Sequence, residues 1–479
     1  MQGAVRQIFH SLAALALVGA ALADDVAGID RQPSIDWAAY LQPLEGATPE
    51  AERRFEQLQE SLQSGALDEA ETTAKQIAEV AAETSTRNTV LRARMLHNLA
   101  LVQHLRMDYG AAILNYQAAV DVINSARDML SVELIQPLHA MGIAYTDIGD
   151  PVAALDAFDS ALHVSNVNRG PHSLAQVPLL QSLQALHERQ RDPVSARTVL
   201  DRIYQLHVRQ SGPDAEALLP VLRQQAEFYS RHEMYGPEYT AWYRSLVILR
   251  RHRGADDLSL IEPQLKLGRN MIRGMDKVTF RSGPTAPSAE KYLKRAWSIA
   301  SHNPDADWKI KRRATLALAD YYILLGMPAQ GHRYYREAWH LMSSDELLAQ
   351  RAADLETIVP ISRPHPDPYA NFEYNPDVDK IDPNDYESGL IAAEFTINTR
   401  GRTEDVVIVE QNPPDFDRMA WRLKSALKDF VYRPRFVDAD VEPTPGYRYQ
   451  LEYFYLPSEY EASLSKSGKL NRPRNPEAH

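Results

Sequence analysis

The sequence predicts a mainly α-helical protein, in which an α-solenoid of about seven helical hairpins precedes a small α+β domain. Small residues recur at a fixed spacing, with Ala100, Gly142 and Ala226 separated by 42 and twice 42 residues. A stretch rich in proline and aspartate follows at 351–388, and a helix cannot continue through it. Beyond it, short segments alternate between apolar and polar residues, as half-buried strands do.

The first 23 residues predict a cleaved secretory signal peptide. Arg6 gives a positive start, Leu12 to Leu22 is a short apolar run, and Ala21-Leu22-Ala23 matches the small-residue cleavage pattern. The run is shorter than the roughly 20 apolar residues of a spanning helix. We therefore expect a secreted chain, with a retained membrane anchor as the alternative. Residues 24–50 are polar and contain prolines, which predicts an extended lead-in.

The repeat array is predicted over residues 51–350. Its clearest copy has Gly142 on one helix, a turn at Gly149-Asp150-Pro151, and Ala154 with Phe158 on the next helix. One hairpin cannot bury its own apolar face, so a repeat of this length predicts stacked hairpins. The small residues mark positions where two helices cross closely. The sixth hairpin carries a predicted nine-residue insertion in its turn, within RSGPTAPSAE (281–290).

This pattern resembles tetratricopeptide repeats (TPR), in a longer form of about 42 residues, which adds about one turn to each helix. The resemblance is carried by the small, turn and aromatic positions just described. Gln184 and Glu238 depart from it, since each places a larger side chain where the family has a small one. The resemblance implies a helical array that binds partner polypeptides.

The linker at 351–388 contains an acidic cluster that invites comparison with a calcium site. A calcium loop of the EF-hand type beginning at Asp377 would need a glycine where Asp382 stands and a carboxylate where Ser388 stands. A solvated turn is therefore the favoured interpretation, with an irregular calcium site as the alternative. The cluster consists of Asp377, Asp379, Asp382, Asp385 and Glu387.

Residues 389–457 predict a β-β-α-β-β domain. Two strands, Leu390–Asn398 and Glu404–Gln411, are joined around Arg400-Gly401, as in a hairpin. Asp415–Phe430 is an amphipathic helix. The last two predicted strands are Val431–Phe436 and Tyr447–Leu456.

The block resembles the C-terminal domain of TonB, a periplasmic energy transducer. The resemblance rests on Phe395-Thr396-Ile397-Asn398, the Arg400-Gly401 turn, the helix, and Phe430-Val431-Tyr432-Arg433-Pro434. It implies a periplasmic location and capture of an extended peptide by strand addition at a sheet edge, for which Tyr447–Leu456 is the candidate. The family's long proline-rich spacer is missing. The remaining residues, 458–479, are polar and predict a disordered tail.

No residue pattern predicts catalysis, a cofactor site or a metal site. The sequence lacks a phosphate-binding glycine loop, a zinc-binding helix motif and a nucleophile elbow. It contains no cysteine and has a net charge of −12, which argues against nucleic-acid partners. His97, His104 and His139 fall at groove-facing positions of first helices, and we interpret them as polar groove residues rather than metal ligands.

The candidate partner-binding residues are arginines on first helices and tyrosines on the last strand. Guanidinium groups pair bidentately with carboxylates, so the arginines predict binding of an acidic segment, with a mixed solvated face as the alternative. We expect a periplasmic scaffold for partner polypeptides, an outer-membrane protein being one candidate, and no stable membrane span. The alternative is a membrane-anchored, TonB-like energy transducer. The candidate residues are Arg189, Arg223, Arg231, Arg269, Arg273, Arg313, Tyr447, Tyr449, Tyr453 and Tyr455.

Overall fold

The computed structural model describes residues 33–84, 89–126, 129–274, 289–362 and 385–466. Within these ranges a one-turn helix, α1 (Trp37–Tyr40), precedes seven consecutive helical hairpins. In chain order their helices are α2 (Pro49–Ser64), α3 (Leu67–Thr84), α4 (Thr89–Leu105), α5 (Tyr109–Ala126), α6 (Ile135–Ile148), α7 (Pro151–Arg169), α8 (Val177–Arg189), α9 (Pro193–Ser211), α10 (Leu219–Arg231), α11 (Tyr235–Arg253), α12 (Ile261–Gly274), α13 (Ala289–His302), α14 (Trp308–Leu324) and α15 (Pro328–Leu341). The described residues divide into two compact units, 33–248 and 249–466.

The 42-residue spacing is repeated in the backbone between hairpins. Four 3₁₀ turns, at Val132–Leu134, Leu174–Gln176, Glu216–Leu218 and Leu258–Leu260, each begin 42 residues after the one before. Each turn leads directly into the first helix of a hairpin. The prediction of a mainly helical, TPR-like repeat array is therefore confirmed.

The turns within hairpins follow from local sequence. Asp150 caps α7 by accepting a hydrogen bond from the Ala153 N–H, and Pro151 starts the helix with its fixed backbone angle. Gly149 ends α6 with φ at 82°, a left-handed conformation that a residue with a β-carbon adopts only under strain. The sequence Gly-Asp-Pro thus ends one helix and starts the next.

The small residues do lie at close helix crossings. A β-carbon built on Gly142 would stand 2.5 Å from Cε1 of Phe158, and one on Gly268 would stand 2.6 Å from Cδ2 of Leu293. Both contacts join the first helix of a hairpin to its second helix. Gln184 is a larger residue at one of these small-residue positions. Its side chain is buried, and its amide donates a hydrogen bond to the Glu188 carboxylate.

The C-terminal sheet region, residues 387–466, is built on a three-stranded antiparallel sheet with strand order β3-β2-β7. A short helix, α16 (Leu348–Arg351), and a π-helical turn over 352–356 lead from the array to β1. The remaining elements are β1 (Val359–Ser362), β2 (Glu387–Ile397), β3 (Thr403–Asn412), α17 (Asp417–Leu427), β4 (Val431–Arg433), β5 (Arg435–Val437), β6 (Asp440–Glu442), β7 (Thr444–Tyr455) and α18 (Pro457–Lys466).

The structure corrects the sequence interpretation at three places in this region. The predicted strand Val431–Phe436 is broken at Pro434, and its first part, β4, pairs with β1 instead of joining the three-stranded sheet. That pairing places a strand, β1, inside the predicted linker. The predicted tail begins with a helix, α18, because Tyr460 packs against Phe416 and donates its hydroxyl proton to the Pro414 carbonyl over 2.7 Å.

Arg433 links the last helical hairpin to the C-terminal sheet region. Its guanidinium donates twice to the Asp320 carboxylate on α14, over 2.9 and 2.8 Å, and once to the Asp354 carbonyl over 2.7 Å. Burial lowers the pKa of this guanidinium, but the facing Asp320 outweighs burial and holds the pKa above its ordinary value. Aromatic packing of Tyr335 on α15 against Phe436 completes the contact.

Several predictions concern residues outside the described ranges. These are the signal peptide at 1–23, the start of the lead-in at 24–32, the acidic positions Asp377, Asp379 and Asp382, the end of the tail at 467–479, and most of the insertion turn. None of the helices in the described ranges combines the length and apolar composition needed to cross a membrane.

Candidate functional site

The lead-in lies against the first helices of the second and third hairpins. Within the unit 33–248, the backbone or side chains of Ser34, Tyr40, Gln42 and Pro43 form hydrogen bonds with residues of α4 and α6. We call the surface that the first helices α4, α6, α8 and α10 present here the first-helix face. It is the candidate site because it already holds a stretch of polypeptide.

Asn98 on α4 binds the backbone of the lead-in through both ends of its amide. Its Nδ2 donates to the Gln42 carbonyl and its Oδ1 accepts from the Gln42 N–H, each over 2.8 Å. Arg94, one turn earlier on the same helix, donates to the Pro43 carbonyl over 3.1 Å. Every residue carries the carbonyl and every residue except proline carries the N–H, so these contacts recognise extended polypeptide rather than a particular side chain.

Asp147, near the end of α6, is the charged centre of the face. Its carboxylate accepts from the Ser34 hydroxyl at 2.6 Å, from the Ser34 N–H at 3.1 Å and from His104 Nε2 at 3.0 Å. Arg189 on α8 donates to it as well, over 3.1 Å. Burial raises the pKa of this carboxyl, but the bonds from His104 and Ser34 outweigh burial and hold the pKa at about 2. Asp147 is therefore an anion throughout the physiological range.

Two buried histidines hold Tyr40. The Tyr40 carbonyl accepts from His97 Nε2 over 2.9 Å, while its hydroxyl lies 2.9 Å from His139 Nδ1. His139 Nε2 also lies 2.8 Å from the Ser182 hydroxyl on α8. Burial lowers the pKa of each histidine to about 4, so both rings are neutral at pH 7. The prediction that these histidines are groove polar residues fits this arrangement, and no cluster of three or more possible metal ligands occurs in the described part of the chain.

Two of the predicted arginines cross-link consecutive repeats. Arg189 pairs with Asp147 of the preceding first helix, and Arg231 pairs with Glu188 over 3.1 Å. The partners are separated by 42 or 43 residues, so the pairs repeat with the period of the array. Both arginine side chains remain half exposed, at 50% and 58%. Asp147 is only 6% exposed, whereas Glu188 is 29% exposed, so Arg231–Glu188 is the more exposed of the two pairs. An exposed pair contributes at most about 1 kcal/mol, so a partner carboxylate can compete for the Arg231 guanidinium.

The other four predicted arginines are placed as follows. Arg223 lies exposed on α10 in the unit 33–248. Arg269, Arg273 and Arg313 belong to the unit 249–466, where Arg273 is half-buried and the other two are exposed. Arg223 and Arg273 already interact within the chain. The six predicted arginines are therefore divided equally between the two units, three in each.

The tyrosines of β7 are mainly core residues. Among the described strands, β7 lies at an edge of the sheet, next to β2 only. Tyr453 and Tyr455 are buried and pack with Phe416, so they cannot supply contact area to a partner. Tyr447 and Tyr449 are half-buried against the same core. Helix α17 and the tyrosines cover each other, so only the backbone edge and the opposite side chains of β7 remain for binding.

Sequence reasoning missed Asn98, Asp147 and Tyr40. A usable signal was present: Asp147 follows His104 by 43 residues, and Ser182 follows His139 by the same interval, which is one residue more than the repeat length, so each pair joins neighbouring repeats in the same way. The lead-in also contains several apolar and aromatic residues, which an extended solvated segment does not need. Those are Ile35, Trp37, Tyr40, Leu41 and Leu44.

No protein-family model matches the sequence, and no curated protein sequence matches it either. Comparison with solved structures finds TPR-repeat proteins over the helical part. BtubC (BKLC) from P. vanneervenii is 18% identical, with 49% of this chain and 91% of that chain covered and a TM-score of 0.35. A putative kinesin light chain with TPR-like repeats from Podospora anserina is 13% identical, with 43% and 97% covered and a TM-score of 0.37.

A tetratricopeptide repeat protein from Parabacteroides merdae is 14% identical, with 64% of this chain and 98% of that chain covered and a TM-score of 0.31. At such identities and TM-scores the similarity concerns the repeat architecture alone, and no function is carried over from these proteins.

Proposed function

We propose that the protein is a scaffold of the bacterial cell envelope that binds an extended segment of a partner polypeptide on its first-helix face. The observation that carries this proposal is the two-ended hydrogen bonding of Gln42 by Asn98. A side-chain amide that pairs with a peptide group satisfies the backbone of an extended segment without requiring a sheet edge. The proposed function is binding alone, without a catalysed reaction.

The face continues beyond the lead-in with groups that suit a partner of mixed or acidic character. Gln184 on α8 and Gln224 on α10 are hydrogen-bonded to each other, and the exposed Arg231–Glu188 pair lies on the same two helices. Because this pair is solvent-exposed, an incoming carboxylate can replace Glu188 at little cost. The predicted affinity for an acidic segment therefore applies to α8 and α10 rather than to the occupied part of the face.

Site-specific photo-crosslinking tests the proposal in the full chain. A photoreactive amino acid placed at Arg231 on the first-helix face should form a covalent adduct with a second polypeptide in cells, identifiable by mass spectrometry. The matched control is the same amino acid at Val194 on the second helix α9, where the side chain is 70% exposed. Equal adduct formation at both positions, or none at Arg231, would reject the first-helix face as the partner site.

The TonB resemblance motivates a second contact, strand addition at β7. In support, β7 is an edge strand of the described sheet, and Gln450 lies on its exposed side. A photoreactive amino acid at Gln450 should be crosslinked to a partner, whereas one at the exposed Lys424 on α17 should not. Equal yields at the two positions would remove β7 from the proposal.

The alternative function, an anchored energy transducer, requires that the N-terminal apolar run stays in the membrane. A cleaved signal places the mature protein in the periplasm. Mass spectrometry of the purified protein distinguishes the two, because cleavage predicts a chain that begins at Asp24. Retention of residues 1–23 would favour the transducer.

A further inference from the structure

The first stretch of the lead-in is bound like a ligand rather than buried like a core segment. Among residues 33–43, Ser34, Asp36, Ala38, Ala39 and Pro43 are exposed to solvent. The segment is nevertheless held by hydrogen bonds from the side chains of α4 and α6 along its length. We call residues 33–43 the latch.

The next residue marks where this ligand-like behaviour ends. Leu44 is buried in an apolar cluster with Ala51, Leu58 and Leu62 of the first hairpin. It therefore anchors the chain to the core whether or not the latch is bound. Within the latch, Ile35 is buried, and Trp37 and Leu41 lie half-buried against that apolar cluster, so these side chains also help to hold the latch in place.

The groups that hold the latch are covered by it. Asn98 and His97 are each 1% exposed with the latch in place, and both form hydrogen bonds to its backbone. A segment that replaced the latch without matching these groups would leave them buried and unpaired, at their full desolvation penalty. The α4–α6 part of the face therefore favours an occupant with the same polar groups, and the latch is the occupant that this structure contains.

We propose that the latch occupies in cis a polypeptide site formed by α4 and α6, and that an extended segment of the partner displaces it by taking over the same contacts. This inference rests on the proposed function, because it assumes that the partner is a polypeptide. It adds that the site is closed in the free protein. Binding is then a competition in which the tether gives the latch a high effective concentration.

The contacts define the segment that would compete. Asp147 accepts from a hydroxyl and an N–H of Ser34, so the competing segment should carry a donor side chain there, such as serine, threonine or lysine. Six residues later, the position of Tyr40 lies beside the His139 ring, with ring centroids 5.2 Å apart, and takes an aromatic residue. Two residues further on, the backbone must be free to bond with Asn98.

The test uses the full chain and a labelled peptide with the sequence of residues 33–44. In the variant Ser34→Ala with Tyr40→Phe, the latch loses its hydroxyl bonds to Asp147 and His139 but keeps its apolar groups. The peptide retains both hydroxyls. When a site is open only part of the time, its apparent affinity equals the affinity of the open site multiplied by the fraction of molecules in which the site is open. Two such bonds, one of them to a charged group, correspond to a weakening of the latch by about thirty-fold.

We expect fluorescence anisotropy to show at least about tenfold tighter peptide binding to this variant than to the wild type. The matched control is Ser61→Ala with Tyr243→Phe, two substitutions of the same kind away from the face, which should bind like the wild type. Adding Asn98→Ala to the latch variant should remove most of the gain. Equal binding by wild type and latch variant, whether tight, weak or absent, would overturn the proposal.

Hydrogen exchange gives a second measurement that needs no peptide. The Ser34 and Gln42 amides, bonded to Asp147 and Asn98, should exchange faster in the latch variant than in the wild type. Unchanged exchange would overturn the proposal, as would a doubled mass in light scattering, which would mean that copies exchange their latches.

Failure of the latch and failure of the scaffold remain distinguishable. If position 231 gives a crosslink but the latch variant binds the peptide like the wild type, the scaffold proposal stands and the latch proposal is rejected. If position 231 gives no crosslink but the latch variant binds the peptide more tightly, only the scaffold proposal is rejected.

Discussion

Replacement of Gly142 by alanine should destabilise the array, although alanine is the better helix former. A β-carbon at this position would lie 2.5 and 2.6 Å from two ring carbons of Phe158, where ordinary contact needs about 3.4 Å or more. Phe158 is only 1% exposed and its ring also packs on His139, so it has no free space to enter. Overpacking of this kind costs about 1–3 kcal/mol, and the gain in helix propensity returns up to about 1. The net loss should be about 1–2 kcal/mol.

The control is Gly110→Ala, because Gly110 is also helical but a β-carbon added there would meet no atom within 4 Å. That substitution should stabilise the protein by about 0.5 kcal/mol. Urea unfolding followed by circular dichroism gives the midpoints, and hydrogen exchange locates the loss in α6 and its neighbours, since damage in a repeat array spreads mainly to adjacent hairpins. A Gly142→Ala midpoint equal to or above the wild-type value would refute the close-crossing explanation.

Three further predictions concern individual side chains. His97 and His139 have folded-state pKa values of about 4. As the pH falls from about 6.5 to 4, these histidines therefore bind protons in the unfolded chain but stay neutral in the folded chain. The free energy of unfolding should fall over that window by up to about 3 kcal/mol per histidine, and constant urea midpoints from pH 7 to 4.5 would contradict this. Arg433→Met leaves the Asp320 carboxylate without its main partner, which should cost about 3 kcal/mol and accelerate hydrogen exchange in β1 and β4; unchanged exchange there would disprove the role of the pair. Tyr460→Ala should detach α18, seen as rapid proteolysis after residue 456, whereas resistance equal to wild type would show that the ring does not hold the helix.

The repeat array could be predicted from the sequence because its physical basis is periodic. A close crossing favours a small residue at the same place in successive hairpins, and although Gln184 departs from this, Ala100, Gly142 and Ala226 reveal both the repeat length and the phase. The helix starts were readable for a similar reason, since aspartate followed by proline caps and begins a helix. The strands of the C-terminal sheet region lie near the predicted segments because alternating burial leaves a two-residue period.

The candidate site could not be predicted in the same way, because it depends on contacts between segments without a common period. Asn98 acts on Gln42, which lies 56 residues earlier in a segment with no helical or strand pattern. Asp147 joins groups from the lead-in and from two different helices, and only the stacking of the hairpins brings them together. Likewise, β7 shows the alternation of a strand, but the pattern does not distinguish tyrosines that bind a partner from tyrosines that cover α17.

The Arg433 contact also has a consequence for how the array ends. A solenoid grows by adding similar hairpins, and its last hairpin would present an apolar side to water unless a different element closes it. Here α14 and α15 give their outer contacts to the C-terminal sheet region, through Asp320 and through the packing of Tyr335 on Phe436. The sheet therefore serves as the terminal cap of the array. Truncation of the chain within the linker at 351–388 would remove that cap, so the boundary most obvious in the sequence is a poor place to divide the protein.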